Sequence, residues 1–298
     1  MNRKAGIGLV HILFALGLFA AFTVLAEPQT RHPAQSKNYR FDTVDYPGAG
    51  CSFIWDFNPA GKTVVGDFRA DTEEPDETGF TFKGTTYKSL AVSGAISTDP
   101  RGINGSGQVV GYYWNSGENS IHGFLDSGGK FTTLDYPGAE GTEPLGINDS
   151  GSIVGGWFPA SQAFQGFLYD HGNYTLINYP NAPETAAHGI NSTGEIVGIW
   201  AGGFTWHGFL LSNGTFTSLD FPQAIETVPL GLNDSGEIAG YYIDANNQQH
   251  GFIYSAGNWK TVDVAGAISS SLSRIKNNGE VTGYFYDALG EVHGMLGH

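Results

Sequence analysis

From about residue 40 to its end the chain alternates short apolar, β-branched and aromatic runs with clusters of Gly, Pro, Asn, Asp and Ser. This is a strand-and-turn pattern, and no stretch of it sustains helical periodicity. The pattern also repeats. A glycine closing a turn of the Asn-Asp-Ser-Gly type falls at Gly61, Gly107, Gly151, Gly194, Gly236 and Gly279, in steps of 46, 44, 43, 42 and 43 residues. Two further glycine series keep the same register. One follows a β-branched or apolar pair, at Gly66, Gly111, Gly155, Gly198, Gly240 and Gly283; the other precedes an apolar residue, at Gly79, Gly123, Gly166, Gly208, Gly251 and Gly294.

In the unit from Asp135 to Ile177 the pattern predicts strand a over Thr142 to Asn148, b over Ser152 to Phe158, c over Gln165 to Tyr169 and d over Tyr174 to Tyr179. Four strands in about 43 residues is the size of a propeller blade, whose faces are buried only by neighbouring blades. Strand d opens on an aromatic at Tyr87, Phe131, Tyr174, Phe216 and Trp259, but the sixth unit stops at His298 without one. Tyr39 to Asp45 matches Asn258 to Asp263 in pattern. The expected fold is therefore all-β: a six-bladed β-propeller of four-stranded blades, closed by an N-terminal strand that completes the last blade and leaves no open sheet edge.

Residues 1–26 carry Arg3 and Lys4, an apolar run and Val24-Leu25-Ala26 before Glu27, the pattern of a secretory signal peptide. The apolar run approaches the length of a membrane anchor, and the cleavage pattern favours the signal reading. Residues 27–38 are polar with two prolines and read as a disordered leader, leaving 39–298 as one domain. Cys51 is the single cysteine, so the exported domain depends on its core and ring closure rather than on crosslinks.

The formal charge is −15, from 14 Lys and Arg against 29 Asp and Glu. Cleavage after residue 26 removes two bases and no acid, giving 12 against 29, or −17. Such a surface repels nucleic acid and anionic membranes and is expected to keep the protein monomeric. It is compatible with neutral glycans, cationic ligands or calcium.

The candidate chemistry lies at repeated positions. Tyr113, Trp157, Trp200 and Tyr242, with Phe68 and Phe285, stand two residues after the second glycine series. They read either as packing between blades or as a stacking platform for sugar rings. A hydroxyl opens every strand a, at Ser52, Thr98, Thr142, Thr185, Thr227 and Ser270, with Glu184 and Glu226 preceding two of them. These residues are expected at one mouth of the central channel, where the hydroxyls bond either a ligand or the backbone of the Asp-Tyr-Pro-Gly-Ala corner. His122, His207, His250 and His293 precede strand c, with Gln165 and Thr78 in the other two units. One histidine per blade is too dispersed for a shared zinc site, so each is expected to bond a neighbouring blade's backbone.

The turns from a to b are nearly uniform, with too few oxygens for calcium, whereas the b-to-c loops vary, among them the acidic Arg69 to Glu77. Variation on one rim of a regular scaffold is where binding surfaces are built. No nucleophile elbow, His-Glu-x-x-His or phosphate loop is present. The recurring Gly-Ile-Asn-Asp-x-Gly-x-Ile-Val-Gly followed by His-Gly-Phe, as at His122-Gly123-Phe124 and His207-Gly208-Phe209, resembles the HAF-type repeats of bacterial extracellular proteins from Phe41 to His298. That resemblance implies an exported repeat protein with no assigned chemistry.

The leading expectation is a secreted, non-enzymatic module that binds a glycan or protein partner on the rim of the b-to-c loops, with no cofactor. One rival is a propeller hydrolase or lyase, calcium-assisted, with Glu184 and Glu226 converging at the channel mouth beside His188. The other is a structural surface protein that acts by assembling.

Overall fold

The structure is a computed structural model that describes residues 39–59, 63–70, 77–115, 120–160 and 163–298. The expected signal peptide, the leader and residues 71–76 of the acidic Arg69 to Glu77 loop lie outside the described residues. Every regular element described is a strand. After β1 (Phe41–Thr43), each repeat contributes four: β2 (Cys51–Phe57), β3 (Val64–Arg69), β4 (Thr78–Lys83) and β5 (Thr86–Leu90) in the first. The second gives β6 (Ala95–Ile103), β7 (Val109–Asn115), β8 (His122–Asp126) and β9 (Phe131–Thr133), and the third β10 (Gly141–Ile147), β11 (Ile153–Phe158), β12 (Gln165–Asp170) and β13 (Asn173–Ile177). The fourth holds β14 (Thr185–Ile190), β15 (Ile196–Gly202), β16 (Thr205–Ser212) and β17 (Thr215–Leu219). The fifth holds β18 (Glu226–Leu232), β19 (Ile238–Ile243), β20 (Gln249–Ser255) and β21 (Asn258–Thr261). The last ends with β22 (Ser269–Ile275), β23 (Val281–Tyr286) and β24 (Val292–Gly297).

The expectation of six separate four-stranded blades is corrected by the pairing. The chain is an all-β propeller with four separate blades of four strands, from repeats two to five; the remaining eight strands form one continuous sheet. Its two halves meet where the start of β2 runs parallel to the start of β24, pairing Cys51 with Val292. The physical reason is that the first residues of β2 and β24 lie close enough for one parallel ladder step. A similar isolated parallel bridge, Ile121 to Gly141, touches repeats two and three without merging their sheets.

Within this large sheet β1 lies antiparallel to β24, pairing Phe41 with Gly297 and Thr43 with Met295. Arg40 and His298 exchange backbone hydrogen bonds in both directions, at 2.9 and 3.0 Å. The first strand is thus tied to the last.

Two glycine series have different causes. At Gly66, Gly111, Gly155, Gly198, Gly240 and Gly283 an added Cβ would lie 1.9–2.1 Å from a carbonyl oxygen of the neighbouring strand a, so the strands approach as only glycine allows. Beside this approach lies the apolar residue that follows the glycine of each third strand, and Phe80, Phe124, Phe167, Phe209, Phe252 and Met295 are at most 1 % exposed. The turn glycines described, Gly107, Gly151, Gly194, Gly236 and Gly279, instead have φ between 77° and 86°, and an added Cβ would meet nothing closer than 4.0 Å.

Gly198→Ala should therefore cost about 3 kcal/mol by overpacking against the Ala186 carbonyl, whereas Gly194→Ala should cost about 1 kcal/mol through backbone conformation alone. Urea melts of the two variants check both the order and the gap.

Candidate functional site

The innermost strands set the axis of the ring. All six of them break register at an equivalent place, skipping Trp55, Arg101, Leu145, His188, Leu230 and Ser273, and β6 breaks a second time at Ile96. Such bulges re-aim side chains. The next residue is glycine in four repeats, Gly102, Gly146, Gly189 and Gly231, but Asp56 in the first and Arg274 in the last. Four missing side chains leave an axial space that these two occupy; a Cβ on Gly231 would sit 2.4 Å from the Arg274 Cδ.

Arg274 spends its donors on carbonyls around the ring. Nη2 donates to Leu145 O at 2.7 Å and His188 O at 3.1 Å, while Nη1 donates to Ser273 O at 3.0 Å and to Leu230 O. Its Nε lies 3.6 Å from Asp56 Oδ2. Asp56 in turn accepts the Ile103 N–H at 3.0 Å and the Phe57 N–H at 2.8 Å. One guanidinium and one carboxylate thereby touch all six repeats. Burial pushes the Asp56 carboxyl up to about 6, against the pull of Arg274. His188 donates Nδ1–H to Pro229 O at 2.9 Å, and burial holds its pKa down at about 4, so the imidazole is neutral at pH 7.

Beyond this plug, on the side of the a-to-b turns, opens a cavity of about 440 Å³. Its wall is an asparagine ring that stitches the repeats together: the Asn104, Asn148, Asn191 and Asn233 amides donate to the next repeat's Asn148, Asn191, Asn233 and Lys276 carbonyls, at 2.9–3.3 Å. Asp149, Asp234, Lys276, Asn277, Asn278 and Glu280 add polar groups to the lining.

A second charged cluster is buried between repeats one and two. Asp67, Glu77 and Asp99 place a carboxylate oxygen each within 4.8 Å of one another. Arg69 bonds Glu77, Arg101 lies 3.5 Å from Asp99 and 3.8 Å over the Trp55 ring, and the Trp55 indole N–H donates to Asp67. Three carboxyls against two guanidiniums leave one negative charge too many. Burial, with Glu77 nearby, pushes Asp67 up to about 7 and Asp99 well above its ordinary range, while Glu77, despite its own burial, is held low by Asp99 and the two arginines. The two guanidiniums fill the role a cation would have, so the cluster reads as a proton-holding network.

The residues picked from sequence are placed as follows. Thr142, Thr185 and Thr227 are at most 1 % exposed, and each Oγ accepts its own corner's N–H, from Tyr136, Tyr179 and Phe221, at 2.9–3.0 Å. Ser52, Thr98 and Ser270 do the same for Tyr46, Val92 and Val264. Trp157 stacks on Tyr136 with centroids 4.1 Å apart, Trp200 on Tyr179 at 4.4 Å and Tyr242 on Phe221 at 3.7 Å, all within 7° of parallel. The opposite sides of Trp200 and Tyr242 meet His207 and His250, and Tyr113 lies 5.4 Å from His122 with its hydroxyl on Thr133 Oγ1. These rings are used in packing. Glu184 and Glu226 are half-buried at the heads of different sheets, and burial raises both carboxyls.

The four histidines have a different partner from the neighbouring blade's backbone that the sequence suggested. Each Nδ1 meets an aspartate of the following corner: His122 with Asp135, His207 with Asp220, His250 with Asp263 and His293 with Asp45, at 2.7–2.9 Å. The exceptions change as pairs. Where Gln165 replaces histidine, Asn178 replaces aspartate and donates to Gln165 Oε1 at 2.7 Å; where Thr78 does, the corner carries Ala91. Reading two columns of the repeat together would have found this pair. Asp56, Asp67 and Arg274 were missed although Asp56 and Arg274 are the two opposite charges in a column otherwise glycine, and Asp67 is a lone charge in a column otherwise glycine, apolar or aromatic.

The axis and the buried cluster each carry a test. Arg274→Met leaves Asp56 buried and unpaired and should cost about 3–5 kcal/mol, with part of the loss recovered by adding Asp56→Asn, as denaturant melts would show. Asp67 has a folded pKa near 7 against an ordinary 3.8, so the folded state holds the proton more tightly and loses stability as pH rises from about 4 to 7. The stability of Asp67→Asn relative to the parent should therefore increase over that window by up to about 4 kcal/mol, measured by urea melts at each pH.

Comparison with known proteins supports the fold and stops there. No family model matches the sequence, and no curated protein matches it. Among solved structures it is similar to AofleA of Arthrobotrys oligospora, at 13 % identity over 88 % of each chain with a TM-score of 0.56. It is similar to a point mutant of the Aleuria aurantia lectin in complex with α-methyl-L-fucoside, at 12 % identity over 86 % of this chain and 93 % of that one, TM-score 0.51. TolB of Acinetobacter baumannii matches at 11 % identity over 83 % of this chain and 54 % of its own, TM-score 0.50. Proteins this different in name share the architecture, so what the resemblance establishes is a propeller fold.

Proposed function

We propose that this protein is an exported, non-catalytic binding module for a neutral glycan, held in the cavity on the a-to-b turn side of the axis. The observation that carries the reading is the cavity itself, about 440 Å³, preformed by the asparagine ring and closed behind by Arg274 and Asp56. Its volume falls in the range of small-ligand sites. Carboxylates and amides stand side by side around it, suiting hydroxyl groups that both donate and accept. The acidic excess of the chain disfavours anionic ligands. The fold's similarity to a lectin crystallised with a fucoside is consistent with this class of ligand. The segment over 1–26 and the HAF-type repeat pattern support export.

This reading moves the ligand from the rim to the cavity, because the rim aromatics have their faces committed to Tyr136, Tyr179 and Phe221. A glycan-array screen of the purified chain, with calcium and again with chelator, should find selective binding in both conditions. Asn278→Trp places bulk at the mouth and removes only a bond from the Glu280 N–H, so it should weaken binding about tenfold or more, while Trp200→Ala should leave affinity within about twofold once its folding is verified. The reverse pattern, loss with Trp200→Ala and none with Asn278→Trp, would return the site to the rim.

A further inference from the structure

Among the described residues, the last repeat carries a donor set that the equivalent hairpin of the fifth repeat lacks. Asp287, Glu291 and His293 each bring one ligand atom to within 4.8 Å of the others. We propose that these three side chains form a binding site for a divalent transition-metal ion of the zinc class, with open positions toward solvent.

The imidazole is aimed before any ion arrives. Its Nδ1 is held 2.7 Å from Asp45 Oδ2, and the other Asp45 oxygen accepts the Gly294 N–H at 3.2 Å, which fixes the carboxylate. With Nδ1–H donated to Asp45, Nε2 carries the lone pair and faces Asp287 Oδ2 at 3.7 Å. A carboxylate behind a histidine is the outer-shell arrangement that orients metal-binding imidazoles. Donors on a tetrahedral zinc with bonds of about 2.1 Å stand roughly 3.4 Å apart, so 3.7 Å needs only a small contraction.

The two carboxylates are set by the hairpin. Asp287 Oδ1 accepts the Leu289 and Glu291 N–H groups at 2.8 and 2.9 Å, leaving Oδ2 turned to the histidine. The turn is closed by Asp287 N–H to Glu291 O at 2.9 Å, with Gly290 at φ 85°. The Glu291 carboxylate is exposed and has no hydrogen bond or ion pair among the described residues. Nothing in the fold requires a glutamate there.

The fifth repeat repeats the geometry with one donor changed. Asp244 accepts the Asn246 and Gln248 N–H groups, His250 bonds Asp263 through Nδ1, and its Nε2 lies 3.8 Å from Asp244 Oδ2. The position of Glu291 is taken there by Gln248, which lacks the anionic donor. The same loop thus exists with and without a third charged ligand. The other reading of both loops is a protonated imidazole bridging two aspartates, and it predicts that glutamine and glutamate at this position behave alike.

Zinc titration of the full, untagged chain at pH 7.5, by calorimetry and by competition with a chromogenic chelator, distinguishes the two. One equivalent should bind at micromolar concentration and raise the Tm, and affinity should weaken as pH falls and protons compete for His293. Glu291→Gln, which copies the fifth repeat, should lower affinity at least tenfold while leaving the metal-free Tm unchanged. Gln248→Glu should add a second equivalent. Absence of zinc binding below 1 mM, or binding indifferent to Glu291→Gln and still of one equivalent after Gln248→Glu, would overturn the site.

Discussion

The ring depends on how its axis is filled. Six copies of one sequence unit, all with glycine at the bulge of the innermost strand, would surround an empty core lined with carbonyl groups. A single guanidinium resolves the problem because its donors are planar, charged and divergent. Arg274 reaches carbonyls of repeats three to six, and Asp56 connects it to repeats one and two. A buried charge of this kind is costly alone and tolerable only when every partner is in place. Loss of any one repeat would leave either charge short of partners, which makes the axis a cooperative contact.

Around that axis the repeats are joined by devices that recur because the unit recurs. The strand-a hydroxyl closes the corner, the asparagine amide reaches the next turn's carbonyl, and the histidine ties strand c to the corner aspartate. Ring closure uses the same parts: His293 of the last strand bonds Asp45, which arrives from the N-terminal side of the chain. The clasp between the two ends is therefore the ordinary joint between strand c and its corner, made by residues far apart in sequence.

Asymmetry enters where one copy departs from the others, and those departures are where chemistry collects. Asp67 and Asp99 bring buried carboxyls to the seam between repeats one and two, where two guanidiniums and a held proton keep them. Glu291 replaces a glutamine and changes the character of an otherwise repeated hairpin. A symmetric scaffold with a few unlike residues can carry several unrelated sites without altering its fold.

The sequence by itself determined what is local. The period, the strand limits to within a residue or two and the turn glycines were legible because each follows from neighbours within one unit, and six copies multiply the signal; for the strand-a hydroxyls the sequence left a ligand and the corner backbone open, and the observed contacts are with the backbone. Only the tertiary structure decided that repeats one and six share a sheet through Cys51 and Val292, and that the separate blades number four rather than six. It alone brought Arg274 to Asp56, turned the histidines to aspartates rather than to a neighbour's backbone, and covered the faces of Trp200 with Tyr179 and His207. Each of these rests on contact across the ring or between strands, where spacing along the chain sets no distance, so one sequence read unit by unit carries no record of it.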